Sequence, residues 1–129
     1  MSYLGEDIRK LGFGLMRLPQ TDGVIDIEQT KEMVDLFMDA GFTYFDTAYV
    51  YENSEVAFKE AVVKRYNRSD YYIADKLTAW KLKEGFDKEE IFKESLDRLG
   101  IEYIDYYLLH AVQEANIEIY NENDCWNFC

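Results

Sequence analysis

Three ionisable side chains stand in otherwise apolar runs at a regular interval: Asp46 in FTYFDTA, Lys76 in YYIADKL and His110 in YIDYYLLH. They are thirty and thirty-four residues apart, and Tyr51 follows Asp46 by five. A charge inside an apolar run is costly unless it is partnered, so Asp46 and Lys76 invite pairing across adjacent strands. A buried ion pair with only a packing role would account for those two residues. It would leave unexplained a Tyr and the chain's only His arriving at the same interval.

One chemistry uses all four. Hydride addition to a carbonyl carbon builds negative charge on oxygen, which must then take a proton. Tyr51 can supply it, although a free phenol, with a pKa of about 10, is a reluctant acid at neutral pH. A neighbouring ammonium favours the phenolate, the task assigned to Lys76. Asp46 keeps that ammonium charged and aimed, while His110 donates a hydrogen bond to the substrate oxygen and shares the developing charge. An isomerase working through Lys76 and Asp46 would have no need of the phenol at 51.

To converge, these residues need elements that repeat. LGFGLMRLP (11–19) reads as a strand closed by Pro19. Asp26 as N-cap, Gln29 three residues on and Gly41 beyond the end bracket a helix with Ile27, Met33, Val34, Phe37 and Met38 inward. A buried strand at 42–48 follows, and then a helix capped by Ser54 with Ala57, Phe58, Ala61 and Val62 inward. The third strand is 71–77. Asp87 and Glu90 begin a third helix, with Ile91, Phe92, Ser95, Leu96 and Leu99 inward and Gly100 as its stop, and 103–110 is the fourth strand. Beyond His110 no helical stripe and no fifth strand stand out. Four strands and three helices in alternation are the pattern of βαβ units on a parallel sheet, and in a barrel of such units the C-terminal strand ends meet at one rim. The expected fold class is α/β, a partial (β/α)8 TIM barrel, with residues 1–129 as one domain and no second.

Fourteen basic against twenty-six acidic residues leave a formal charge of -12, which repels a phosphate backbone or an anionic membrane surface. No nucleic-acid and no membrane partner is expected. MSYLGEDIRK shows no leader pattern and no run of about eighteen apolar residues occurs, so a cytoplasmic, soluble protein is expected. Cys125 and Cys129 are the only cysteines, with no second pair and no nearby His, and read as solvated thiols at a frayed end rather than a disulfide or metal site.

LGFGLMRLP, AGFTYFDTAYVYENSE, ADKL and LGIEYIDYYLLH together resemble the aldo-keto reductase signature in order and spacing, from residue 11 to residue 110. The Asp-Thr-Ala-x-x-Tyr pattern at 46–51 is its most specific part. The resemblance implies a catalytic tetrad of Asp46, Tyr51, Lys76 and His110, NADPH as cofactor, an aldehyde or ketone as substrate, and a nicotinamide pocket lined by Gly14, Leu15 and Met16 with Asp46. Simple barrel packing is the competing role for Leu15 and Met16. GFG at 12–14 lacks the third glycine and following helix of a Rossmann fingerprint. The chain departs from the family's pattern at Asp75, where a small hydroxyl residue is common, and this is expected to shift the charge balance around Lys76. The N-terminal wording is also similar to a bacterial subgroup whose longer members end in a ferredoxin-like segment, though two cysteines cannot hold such a cluster.

A full barrel takes about 250 residues, so 129 correspond to its N-terminal half. Four parallel strands cannot close, and the uncovered face is expected to find a partner, with a homo-oligomer as one solution. The family's main nicotinamide and adenosine-phosphate contacts fall in the other half, so the expectation for this chain alone is weak or no turnover. The alternative is a non-catalytic barrel fragment that acts as an association module.

Overall fold

The computed structural model describes residues 5–129; the first four residues of the segment inspected for a leader lie outside it. Short strand β1 (Gly12–Gly14) is followed by a two-stranded hairpin, β2 (Gln20–Thr21) and β3 (Val24–Ile25), and by helix α1 (Ile27–Asp39). Next come β4 (Tyr44–Asp46), α2 (Ser54–Phe58) running into a π-helical turn at Lys59–Val63, and a 3-10 turn at Arg68–Asp70. The rest is β5 (Tyr72–Thr78), α3 (Ala79–Lys83), α4 (Lys88–Leu99), β6 (Tyr106–His110), α5 (Ile117–Glu122) and α6 (Cys125–Phe128).

Strands β1, β4, β5 and β6 form one parallel sheet in that order, which is the α/β arrangement expected of part of a (β/α)8 barrel. Side chains alternate across it. Phe13, Phe45, Ile73, Asp75, Leu77, Tyr107 and Leu109 point one way. Tyr44, Asp46, Tyr72, Lys76, Tyr106, Leu108 and His110 point the other. The first set meets the helices in a core of Phe45, Phe58, Val34, Val62, Ile73 and Leu99. The second set faces the side that a closed barrel would enclose, where the Tyr106 ring lies against those of Tyr44 and Tyr72.

The cap signals operate as expected: Asp26 accepts from the Gln29 N–H, Asp87 from those of Glu89 and Glu90, and Gly41 and Gly100 take positive φ just past their helices. Four expectations are corrected. The run 11–19 is a strand only over 12–14; the hairpin follows because Asp22 and Gly23 both take positive φ, the geometry of a two-residue type I′ turn. Met33 is 38% exposed, and its place on the inward face goes to Thr30, whose hydroxyl donates to the Asp26 carbonyl. The stretch after His110 forms two short helices, carried inward by a fully buried Tyr120. Cys125 is fully buried beside Tyr120, Leu77 and Ile91 and is not a solvated thiol, whereas Cys129 is exposed.

Candidate active site

Asp46, Lys76 and His110 end or nearly end β4, β5 and β6, and all three project to the open face of the sheet. Asp46 is level with Ala74, and Lys76 lies two residues further on, level with Leu108. The lysine therefore reaches back across the strands. Its Nζ donates to Asp46 Oδ2 at 2.7 Å and to the Thr47 carbonyl at 2.6 Å. The lysine side chain is 15% exposed and the carboxylate 38%, so the pair keeps contact with water while each charge is met by the other.

Tyr51 is placed by the loop between β4 and α2. Thr47 N–H donates to the Ala74 carbonyl, Tyr51 N–H to that of Ala48 and Ser54 N–H to that of Tyr51. Asn53 closes the turn with a φ of 60°. Ser54 does not cap the helix that begins with it, which corrects the sequence expectation. Its hydroxyl instead lies 2.7 Å from that of Thr47 and donates to the Leu15 carbonyl at 2.9 Å, tying this loop to the end of β1. The phenol ring then faces the lysine, with Nζ 5.2 Å from its centroid, and stands perpendicular to the His110 imidazole at 5.6 Å. Four residues from two strand ends, one strand interior and a loop thus form a single cluster.

His110 is held from two sides that the sequence did not flag. The Trp80 ring lies 5.4 Å from the imidazole, and Tyr120 Oη lies 2.5 Å from the His110 carbonyl and 3.1 Å from that of Leu77. Trp80 had a signal available, since it is an aromatic four residues past Lys76 on the same rim. Tyr120 had none, because it comes from a stretch without periodicity. Burial, seconded by the positive Lys76 and opposed by Asp46, holds the imidazole below its usual value. The ring is therefore neutral at neutral pH, with Nδ1 buried and unpartnered among the described residues.

Of the residues expected around a nicotinamide, Leu15 is 1% exposed and packs in the core, while Met16 is 58% exposed and a side chain at Gly14 would meet open space. Asp75 faces away from the cluster: its carboxyl is on the helix side of β5 and touches Lys76 only through that residue's backbone N–H. Beside Tyr51 a cleft of about 630 Å³ opens between Tyr49, Trp80, Lys81, Glu84 and Arg98.

Residues 10–122 match the aldo/keto reductase family. An aldo-keto reductase of Mycobacterium sp. (strain KMS) is 33% identical over 115 residues, which are 88% of this chain and 38% of the relative. Among solved structures, an aldo-keto reductase from Klebsiella pneumoniae in complex with NADPH superposes with a TM-score of 0.68 at 21% identity, over 92% of this chain and 42% of that one. The holo form of an aldo-keto reductase from Bacillus halodurans does so with a TM-score of 0.62 at 26% identity, over 92% and 43%. The chain thus spans well under half the length of these proteins.

Proposed function

The chain belongs to the aldo/keto reductase family, and from that premise we propose that its rim carries the proton-donating half of an NADPH-dependent reduction of an aldehyde or ketone to an alcohol. The observation that carries the reading is the junction at Lys76, where one ammonium pairs with Asp46 at 2.7 Å and lies 5.2 Å from the centre of the Tyr51 ring, itself packed against His110.

Tyr51 is the proton donor. As hydride arrives at the carbonyl carbon, the oxygen gains charge and takes the phenolic proton, and Lys76 stabilises the charge left on the ring. Asp46 and the Thr47 carbonyl hold the ammonium in that position. A neutral His110 orients the carbonyl oxygen by a hydrogen bond, which an imidazole can give from the nitrogen opposite its buried Nδ1.

NADPH would supply the hydride. The residues present fit only its nicotinamide end, where the open space over Gly14 and the exposed Met16 lie beside Asp46 at the head of the sheet. The four-stranded sheet positions the proton donor better than the hydride donor, so the chain alone turns over slowly or not at all. The uncovered face of the sheet favours association, and a second copy is one occupant.

The test is a chimera in which residues 10–122 replace the matching segment of the mycobacterial relative. NADPH consumption with a simple aldehyde is expected in the chimera, and little or none with the chain alone. A folded chimera that binds NADPH yet reduces no carbonyl would overturn the reading.

A further inference from the structure

Directly behind Lys76, on the helix side of β5, stands a second acidic pair that the proposed reaction does not use. Asp75 is fully buried and Glu55, from α2, is 2% exposed. Asp75 Oδ1 accepts the Lys76 backbone N–H at 2.7 Å, and Glu55 Oε1 accepts from Arg98 Nη1 at 3.1 Å. Each carboxyl has one oxygen left, Asp75 Oδ2 and Glu55 Oε2, and both are buried without a partner. The two groups lie within hydrogen-bonding reach of each other. Two carboxylates in that position would repel with no water to screen them. A single proton turns one of the leftover oxygens into a donor for the other and satisfies both at once.

The proton's location follows from the neighbours. Arg98, on α4, pairs with Glu55 and draws the negative charge there. Lys76 offers Asp75 a backbone N–H, while its ammonium is on the opposite face and already committed to Asp46. From β6 the only titratable group facing Asp75 is the Tyr107 phenol, whose buried hydroxyl is unpartnered and which burial pushes further from ionising. On β4, the ionisable Asp46 and Tyr44 project to the other face.

We propose that Asp75 is a neutral carboxylic acid in the folded chain, donating to Glu55 and accepting from the Lys76 backbone, and that this shared-proton pair is a positioning device for Lys76. It fixes the strand at the residue whose ammonium must meet both Asp46 and the Tyr51 ring. It rests on the proposed function only in making Lys76 worth positioning. Burial first, then the adjacent Glu55, pushes the Asp75 carboxyl well above its ordinary value, with Lys76 opposing. The sign follows: a folded-state value above the unfolded one, near 4, means that the stabilisation is complete below about pH 4 and is lost as pH rises through the folded value.

The experiment is a carboxyl-carbon NMR titration of the 129-residue chain without substrate, read together with the Lys76 amide proton. At neutral pH the Asp75 carboxyl is expected at the position of a protonated acid, and its alkaline titration should move the Lys76 amide in step. Asp75→Asn, which keeps a donor and an acceptor, should flatten the fall of the urea midpoint with rising pH. Asp75→Ala should speed Lys76 amide exchange about tenfold. An ionised Asp75 in the folded chain at neutral pH would overturn the proposal, as would an unchanged pH slope in Asp75→Asn. The wild-type titration decides even if a variant does not fold. Because no turnover is measured, it fails or succeeds separately from the reductase reading.

Discussion

The two faces of β5 solve the same problem in different ways. Lys76 and Asp75 are consecutive, so they project to opposite sides of one strand. On the open side, Lys76 meets Asp46 across the sheet with the carboxylate 38% exposed, so each group has an opposite partner and some water beside it. On the helix side, Asp75 is fully buried next to another acid, Arg98 is engaged by Glu55, and a shared proton takes the place of a counter-ion. The first arrangement leaves a charge available to act on a neighbouring phenol. The second satisfies its groups and stiffens the backbone. The proposed chemistry therefore belongs to the side that remains partly wet and support to the side that does not.

That contrast can be broken from either side. Tyr51→Phe, on the open face, should cost about 10²–10⁴-fold in kcat/KM of the chimera while leaving the urea midpoint in place. An equal loss of stability would mean that the open face is structural too. Arg98→Met, on the helix face, strands a buried Glu55. The expected loss is about 2–4 kcal/mol by urea denaturation, below the full range for a buried pair because the arginine side chain is 35% exposed. Lys93→Met breaks an exposed pair on the same helix and should move the midpoint far less.

Tyr120→Phe removes a hydroxyl set between the carbonyls of Leu77 and His110 and the Ala79 N–H. About 1–3 kcal/mol is expected, and the ring-current shift that Tyr51 imposes on His110 should change as the end of β6 loosens. The smallest effect is one of pH. The folded-state value of His110 lies below its usual one, so the stability contributed by the neutral ring is present above about pH 6.5 and is lost as pH falls toward the folded value. His110→Gln should flatten that part of the profile in a series of urea melts.

The legible parts of the chain share a cause. Asp26, Asp87, Gly41 and Gly100 act on their own helix ends within a few residues, and the strands around Phe45 and Ile73 are short apolar runs whose period is visible locally. The hairpin at 20–25 is equally local, carried by Asp22-Gly23, but each of its strands is only two residues long and too short to show an alternation. Ser54 departs from its expected capping role for the opposite reason. Its hydroxyl finds Leu15 and Thr47, partners that exist only once β1 and β4 are side by side. Residues 117–128 were opaque because their helices are too short to show a period and are held by Tyr120 and Cys125, which pack into the core from far along the chain.

By itself, the sequence determined the repeat, the helix ends and which residue types return at each strand end, because these depend on interactions a few residues long. It thereby put Asp46, Tyr51, Lys76 and His110 on one rim. Only the tertiary structure decided which of two adjacent acidic and basic residues would face the open side, that Trp80 and Tyr120 would flank His110, and that Asp75 would meet Glu55. Those outcomes depend on the register between strands and on which helix covers which face. Burial and partners are properties of that packing, and with them comes the charge each group can carry.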